Sequence, residues 1–217
     1  GIFCGIFLFA ASSMQQISML YTTAGKAAFI TCLYIIFVPI AAYFLGKKIF
    51  RENWLGAALA MIGLYFLAIN ENFSVNRGDV ILFFSAFLWT AQILFVDKFA
   101  LKVDLIELST AQIFITTILS AIFMIIFENP EPQLFLNAAI PIIYGGVMSA
   151  GVAFTLQLFG QKYVEPSIAA ILMSFESIFG VLSSWLLLGE EMTFREIFGC
   201  LLMLAGIFVT QMRDIKR

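Results

Sequence analysis

Eight stretches of this chain are long and apolar enough to cross a lipid bilayer as helices, and no other feature limits its fold as much. They run Ile2–Leu20, Ala27–Leu45, Trp54–Ile69, Val80–Val96, Leu105–Phe127, Ala138–Leu158, Ser167–Leu188 and Ile197–Met212. A helix needs about 20 mostly apolar residues to span a hydrocarbon core roughly 30 Å thick. The first, second, third, fourth, sixth and eighth carry no charge at all, and Glu107 lies at the mouth of the fifth. Only the seventh holds a carboxylate near its centre, Glu176. The breaks collect turn residues and charges: Gly46-Lys47-Lys48, Asn70 to Asp79, Glu128-Asn129-Pro130 and Gly189-Glu190-Glu191. A β-barrel would instead show short segments alternating apolar with polar. Lipid requires each spanning segment to satisfy its own backbone, so these stretches are read as helices.

Composition agrees. Hydrophobic residues make up 62% of the 217 and charged residues 12%, where a water-soluble domain has about 45–50% and about 25%. That excludes a disordered chain and a secreted disulfide scaffold. The net charge of −2 leaves no basic face for nucleic acid. Histidine is absent, and Cys4, Cys32 and Cys200 sit in apolar runs without CxxC spacing, so no metal or disulfide is expected. There is no HExxH, no GxSxG, no GxGD-like aspartate pair and no glycine-rich phosphate loop. The expectation is a protein without a cofactor and not an enzyme.

Eight spans distribute the loops over two sides. One side receives Lys47, Lys48, Arg51, Lys98, Lys102, Lys162, Arg213, Lys216 and Arg217; the other receives Lys26, Arg77 and Arg195. Nine cations against three assign the first side, with the C-terminus, to the cytoplasm. The expected location is the cell (inner) membrane.

The chain also matches itself. Gln15, Tyr21, Ala27 and Ala28 correspond to Gln157, Tyr163, Ala169 and Ala170 at a separation of 142. After a slip of one residue, Leu45-Gly46, Gly56 and Gly63 correspond to Leu188-Gly189, Gly199 and Gly206. The second copy, residues 78–213, contains five spans, whereas residues 1–72 hold only the last three of a first copy. Gly1 opens inside an apolar stretch without the charged start of a signal peptide. Two further spans are therefore expected upstream. Copies with an odd number of spans lie inverted in the membrane, an architecture of secondary carriers whose substrate site lies near mid-membrane.

Tyr21-Thr22-Thr23-Ala24, Ala27-Ala28-Phe29-Ile30, Leu45-Gly46, Trp54-Leu55-Gly56 and Gly63 resemble the later half of an EamA domain of the drug/metabolite transporter superfamily. Pro166-Ser167-Ile168-Ala169-Ala170, Glu176, Leu186-Leu187-Leu188-Gly189-Glu190, Gly199 and Ala205-Gly206 resemble the same part of a second one. The resemblance implies an all-α, polytopic membrane helix bundle of two inverted five-helix repeats, eight of whose ten helices are present. It also implies a carrier of small metabolites such as amino acids or related compounds, usually moved outward. Two positions depart from the family pattern. Ser177 stands where a proline often follows the intramembrane glutamate, and Lys47-Lys48 stands opposite Glu190-Glu191.

A charge at mid-membrane costs about 2.5–3.5 kcal/mol on insertion scales, so Glu176 is expected to face the bundle interior. It is read either as a proton-coupling or cation site or as a structural carboxyl locking the bundle. Trp89 and Gln92, three apart on one helical face, suit the wall of a substrate cavity. Gln15 and Gln157 are repeat-related; Gln112, Tyr144 and Tyr34, the last at the repeat position of Glu176, complete the candidate substrate-binding set. Gly56, Ala60 and Gly63, like Gly199, Ala205 and Gly206, offer small faces for close helix crossing. Expected partners are a small-molecule substrate, the lipid bilayer and protons, with monomer and homodimer both open. Beside alternating access, two other readings stand: a non-transporting membrane scaffold or accessory subunit, and a channel.

Overall fold

The computed structural model describes residues 1–68, 76–128, 132–183, 185–186, 191 and 193–215. Among them the chain is helical with no strand, as the need to satisfy every peptide group within its own segment dictates. The helices are α1 (Ile2–Ser18), α2 (Ala24–Thr31), α3 (Tyr34–Phe44), α4 (Arg51–Ala68), α5 (Arg77–Phe99), α6 (Leu105–Phe127), α7 (Pro132–Asn137), α8 (Ala139–Tyr144), α9 (Phe154–Gln161), α10 (Pro166–Met173), α11 (Phe175–Ser183) and α12 (Phe194–Ile215). A π-helical segment, Gly145–Ala153, joins α8 to α9.

Six stretches among the described residues are long and apolar enough to cross a membrane, against the eight expected: Gly25–Phe44, Arg77–Phe99, Leu105–Phe127, Ala139–Gln161, Pro166–Ser183 and Phe194–Gln211. The other two expected spans are present as helices. The apolar α1 is only 17 residues long, and α4 opens on Arg51-Glu52-Asn53, a polar first turn that dilutes its apolar run.

Local signals set the ends. Thr23 caps α2 through the Lys26 N–H, and Asp104 Oδ1 accepts from the N–H groups of Ile106 and Glu107 at 2.8 and 3.1 Å to cap α6. Thr193 and Glu196 form a reciprocal capping box on α12, the Thr193 N–H donating to Glu196 Oε2 at 2.7 Å and the Glu196 N–H to Thr193 Oγ1 at 3.3 Å. α3 stops at Gly46, whose φ of 82° suits only a residue without Cβ. There the Lys47 N–H reaches back to Ala42 O and the Gly46 N–H to Tyr43 O, closing a Schellman motif. The repeat-related Leu188-Gly189, with Glu190, lies outside the described residues.

The chain forms two compact units, Gly1–Ala10 with Phe95–Val164, and Ala11–Leu94 with Glu165–Arg217. In the first, Cys4, Val96, Ala100, Leu105, Leu108 and Leu158 make a buried core. Phe3 and Phe7 stack on Phe95 at 5.8 and 5.1 Å between centroids. Gly5 lies against α6, where a Cβ would sit 2.7 Å from Gln112 O, and Thr116 Oγ1 donates to the Gly5 carbonyl at 3.1 Å. At the π-helical segment, a methyl on Gly145 or Gly146 would meet nothing within 4 Å. Those glycines widen the backbone turn and do not serve close packing.

The second unit is held by the crossing of α4 with α12. A Cβ on Gly56 would sit 2.6 Å from Gly206 O, and one on Gly206 2.8 Å from Gly56 O. The same reciprocity joins Gly63 to Gly199, at 2.5 and 2.6 Å. Such backbone approach maximises dispersion contact where lipid supplies no hydrophobic drive between helices. Arg195 Nε closes one end of the pair by donating to Phe66 O at 3.2 Å, with its guanidinium over the rings of Tyr65 and Phe66. An ion pair pins another edge: Lys26 Nζ lies 2.7 Å from Asp79 Oδ2, and Asp79 is 5% exposed. Thr22 Oγ1 donates to Asp79 Oδ1 at 2.8 Å and the Asn76 N–H to Oδ2 at 2.9 Å. The start of α2 is thereby tied to the start of α5.

Two predictions follow from this packing. Gly63→Ala and Gly206→Ala each destabilise the protein by about 1–3 kcal/mol, because backbone atoms must move apart. Gly160→Ala, whose added methyl meets nothing within 4 Å, leaves the thermal midpoint in detergent unchanged. Lys26→Met costs about 3–5 kcal/mol by stranding a buried carboxylate, and Lys26→Met/Asp79→Leu recovers most of the loss. Equal losses in the single and double variants would show that the ion pair is not what holds α2 to α5.

Candidate functional site

Two of the membrane-crossing stretches are not continuous. α2 gives way to α3 at Cys32-Leu33, and α10 gives way to α11 at Ser174. The Cys32 N–H still bonds Ala28 O at 3.0 Å, after which the pattern tightens to three-residue steps, Leu33 to Ile30 O and Ile35 to Cys32 O. At the second break Ser174 N–H reaches Ala170 O at 3.3 Å and Ser177 N–H reaches Ser174 O at 3.1 Å. Ser174 Oγ turns back to Ile171 O at 2.7 Å, a local bond that competes with the helical ladder. The bend therefore forms without the proline that Ser177 replaces. Each break sets the negative end of one half-helix against the positive end of the next. Discontinuous membrane helices of this kind are where carriers place their binding groups.

The residues around the two breaks share one neighbourhood. Tyr34 opens α3 and is 3% exposed. The fully buried Cys32 donates its thiol hydrogen to Tyr34 Oη at 3.7 Å. That phenolic oxygen accepts, so its own O–H remains unspent. Glu176, in the first turn of α11, lies within electrostatic reach of both Tyr34 and Cys32. Ser177 lies beside Cys32, close enough for its hydroxyl to interact with that thiol.

Glu176 sits at the boundary between the bundle and its surroundings. Protein atoms surround it on most sides, yet its side chain is exposed. Among the described residues no lysine, arginine or hydrogen-bond donor engages its carboxylate. Lys26 is engaged by Asp79 and Arg195 by Phe66 O.

The remaining candidates are distributed over both units. Trp89 Nε1 donates to Gln15 Oε1 at 3.1 Å, and Trp89 is 9% exposed. In this conformation the indole closes a helix contact between α1 and α5. Gln92 on α5 and Gln112 on α6 are fully enclosed. Gln157 is half-buried on α9, which joins α6 through Ser109 Oγ and Thr155 Oγ1 at 2.6 Å. Tyr144, 66% exposed, ends α8. Sequence reasoning missed Cys32 as the partner of Tyr34 and missed the Lys26–Asp79 pair. The only sequence signal for the first was its separation of 142 from Ser174, which marks both breaks at repeat-equivalent positions.

Comparison with known proteins agrees with this architecture. The profile of the EamA-like transporter family matches residues 76–212. A protein of Archaeoglobus fulgidus described as an uncharacterized transporter is 30% identical over 214 residues, which cover 98% of this chain and 68% of that relative. The uncharacterized transporter YoaV of Bacillus subtilis is 23% identical over 205 residues, 92% of this chain and 70% of its own. A solved crystal structure, described only as that of a protein, superposes with a TM-score of 0.81 over 98% of this chain and 77% of its own, at 18% identity, and so shares the fold. The family match over most of the chain, its apolar helices and its transporter relatives lead to one conclusion: this multi-pass membrane protein belongs to the EamA-like transporter family.

Proposed function

We propose that the chain works as a secondary carrier, exporting small metabolites such as amino acids or related compounds by alternating access between two inverted copies. Residues 1–72 would supply the last three spans of the first copy and residues 78–213 all five of the second. The observation that carries this reading is the pair of helix breaks at Cys32 and Ser174, separated by 142 residues, the spacing of the internal repeat. Each break is followed two residues later by a polar side chain, Tyr34 in one copy and Glu176 in the other.

The glycine crossing supports the same two-fold relation. Advancing Gly56 by 143 residues gives Gly199, and moving Gly206 back by 143 gives Gly63. The contact Gly56–Gly206 is thus carried onto the contact Gly199–Gly63, as a two-fold operation requires of an isologous contact. The nine-to-three asymmetry of cations supports an inner-membrane location with the C-terminus in the cytoplasm.

Counterflow in proteoliposomes containing the full-length protein tests the proposal. Unlabelled amino acid trapped inside the vesicles is expected to drive transient uptake of labelled amino acid above equilibrium. Passive uptake without acceleration by the trapped compound would make the protein a channel, and no uptake across an amino acid and nucleoside panel would make it a scaffold.

A further inference from the structure

One membrane-crossing stretch, Ala139–Gln161, carries nine residues of π-helix, Gly145–Ala153, between two α-helical halves. The backbone enters and leaves the segment in right-handed helical conformation, with φ and ψ of −60° and −48° at Tyr144 and −65° and −32° at Phe154. It is one continuous helix wound more widely in its middle, unlike the interruptions at Cys32-Leu33 and Ser174. A π-turn bonds an N–H to the carbonyl five residues back, as the Phe154 N–H does to Ser149 O, and so takes up an extra residue. The internal repeat shows where that residue lies. Ile2-Phe3-Cys4-Gly5-Ile6 matches Ile143-Tyr144-Gly145-Gly146-Val147 at a separation of 141, whereas Gln15 matches Gln157 at 142. The later copy therefore holds one more residue between Val147 and Gln157, where the π-helix runs, and its counterpart α1 is an unbroken α-helix from Ile2 to Ser18.

The two sides of the segment are held differently. Thr155 Oγ1 donates to Gly151 O at 2.6 Å, which leaves Ser109 Oγ on α6 to donate to Thr155 Oγ1, also at 2.6 Å. Thr155 thereby ties the end of the segment to α6. Just beyond it, Leu158 is fully buried in the core with Leu105 and Leu108. Before it, neither α8 nor the segment has a buried residue, and a methyl on Gly145 or Gly146 would meet nothing within 4 Å. Rewinding such a segment strands no backbone group, because each carbonyl exchanges an N–H five residues on for one four residues on. Lipid tolerates that step, where it forbids one that leaves carbonyls bare. A register change of one residue turns the helix before it by about 100° and moves it about 1.5 Å along the axis.

We infer that Gly145–Ala153 is a register switch: it rewinds between π- and α-helix with Thr155 as the fixed point, and so rotates α8 against α6 between two states of the transport cycle. The extra residue is what makes two windings available, and the glycine pair at the start of the segment gives the backbone freedom and space to change between them. This inference rests on the carrier reading and its internal repeat, and adds a moving part to them.

Electron–electron double resonance on the full-length protein in lipid nanodiscs tests it. Spin labels are carried on ketone-bearing residues introduced at Ile140 on α8, 82% exposed, and at Phe114 on α6, 62% exposed, so that the native cysteines stay in place. A turn of about 100° carries a side-chain tip about 8 Å around a helix about 10–12 Å across, so two distances several ångströms apart are expected. Deleting Met148 shortens the Gly146–Gln157 spacing to that of Gly5–Gln15. That variant is expected to show one distance and to lose about tenfold or more of the counterflow rate. Should it fail to fold, Gly145→Ala/Gly146→Ala, which favours the α-helical winding, is expected to enrich one of the two distances. A single distance shared by the unaltered protein and either variant, or counterflow undiminished by the deletion, overturns the switch. Absence of counterflow in the unaltered protein would overturn the carrier reading instead, and the distances would still decide whether the segment rewinds.

Discussion

Every peptide group inside a bilayer must find its hydrogen bond within its own helix or against protein, because the hydrocarbon offers none. From that constraint the rest of the molecule follows. It makes the described chain helical throughout, and it makes each departure from a regular helix costly enough to need a local substitute. At Ser174 the substitute is a side-chain bond to Ile171 O, and at Cys32-Leu33 it is a tightened run of three-residue bonds. These two breaks are also where Tyr34, Cys32, Ser177 and Glu176 gather. Where the backbone ladder is interrupted, polar groups are tolerated, and those groups can serve a ligand.

Helix packing answers a second consequence of the same solvent. Lipid tails are as apolar as leucine, so burying apolar surface between helices gains little, and close backbone contact must supply the attraction. The α4–α12 crossing does this through two reciprocal glycine contacts and leaves no room for a Cβ at any of the four positions. Around that rigid pair, α3 and α10 carry the interrupted segments, and the Lys26–Asp79 ion pair secures the end of α2 nearest the membrane surface.

Much of this was legible in the residues, and the limits have physical causes. The small faces at Gly56, Gly63, Gly199 and Gly206 announced a close crossing, because glycine repeats in a membrane helix have few other uses. Repeat spacing alone marked Tyr34 as the counterpart of Glu176. The reading placed Glu176 inside the bundle because insertion cost forbids a charge facing lipid, but that cost does not say how much of its carboxylate stays exposed. It assigned Trp89 to a cavity wall, yet the indole N–H is spent on Gln15, a partner 74 residues away that no local pattern reveals. Nothing in the residue order marked the break at Ser174, where a serine hydroxyl bonds back along the helix to Ile171 O.

Periodicity, charge distribution and the internal match are properties of residue order, so the sequence by itself determined that the chain lives in lipid, folds as helices and repeats itself. Its family was within reach for the same reason. Which polar side chains are neutralised by neighbours and which are left open depends on contacts between distant segments. Only the tertiary structure decided that Lys26 belongs to Asp79, Trp89 to Gln15 and Cys32 to Tyr34, and that no described residue pairs with the Glu176 carboxylate. A lone carboxylate in an apolar run reads the same whether a partner awaits it or not; the difference lies in what the fold brings beside it.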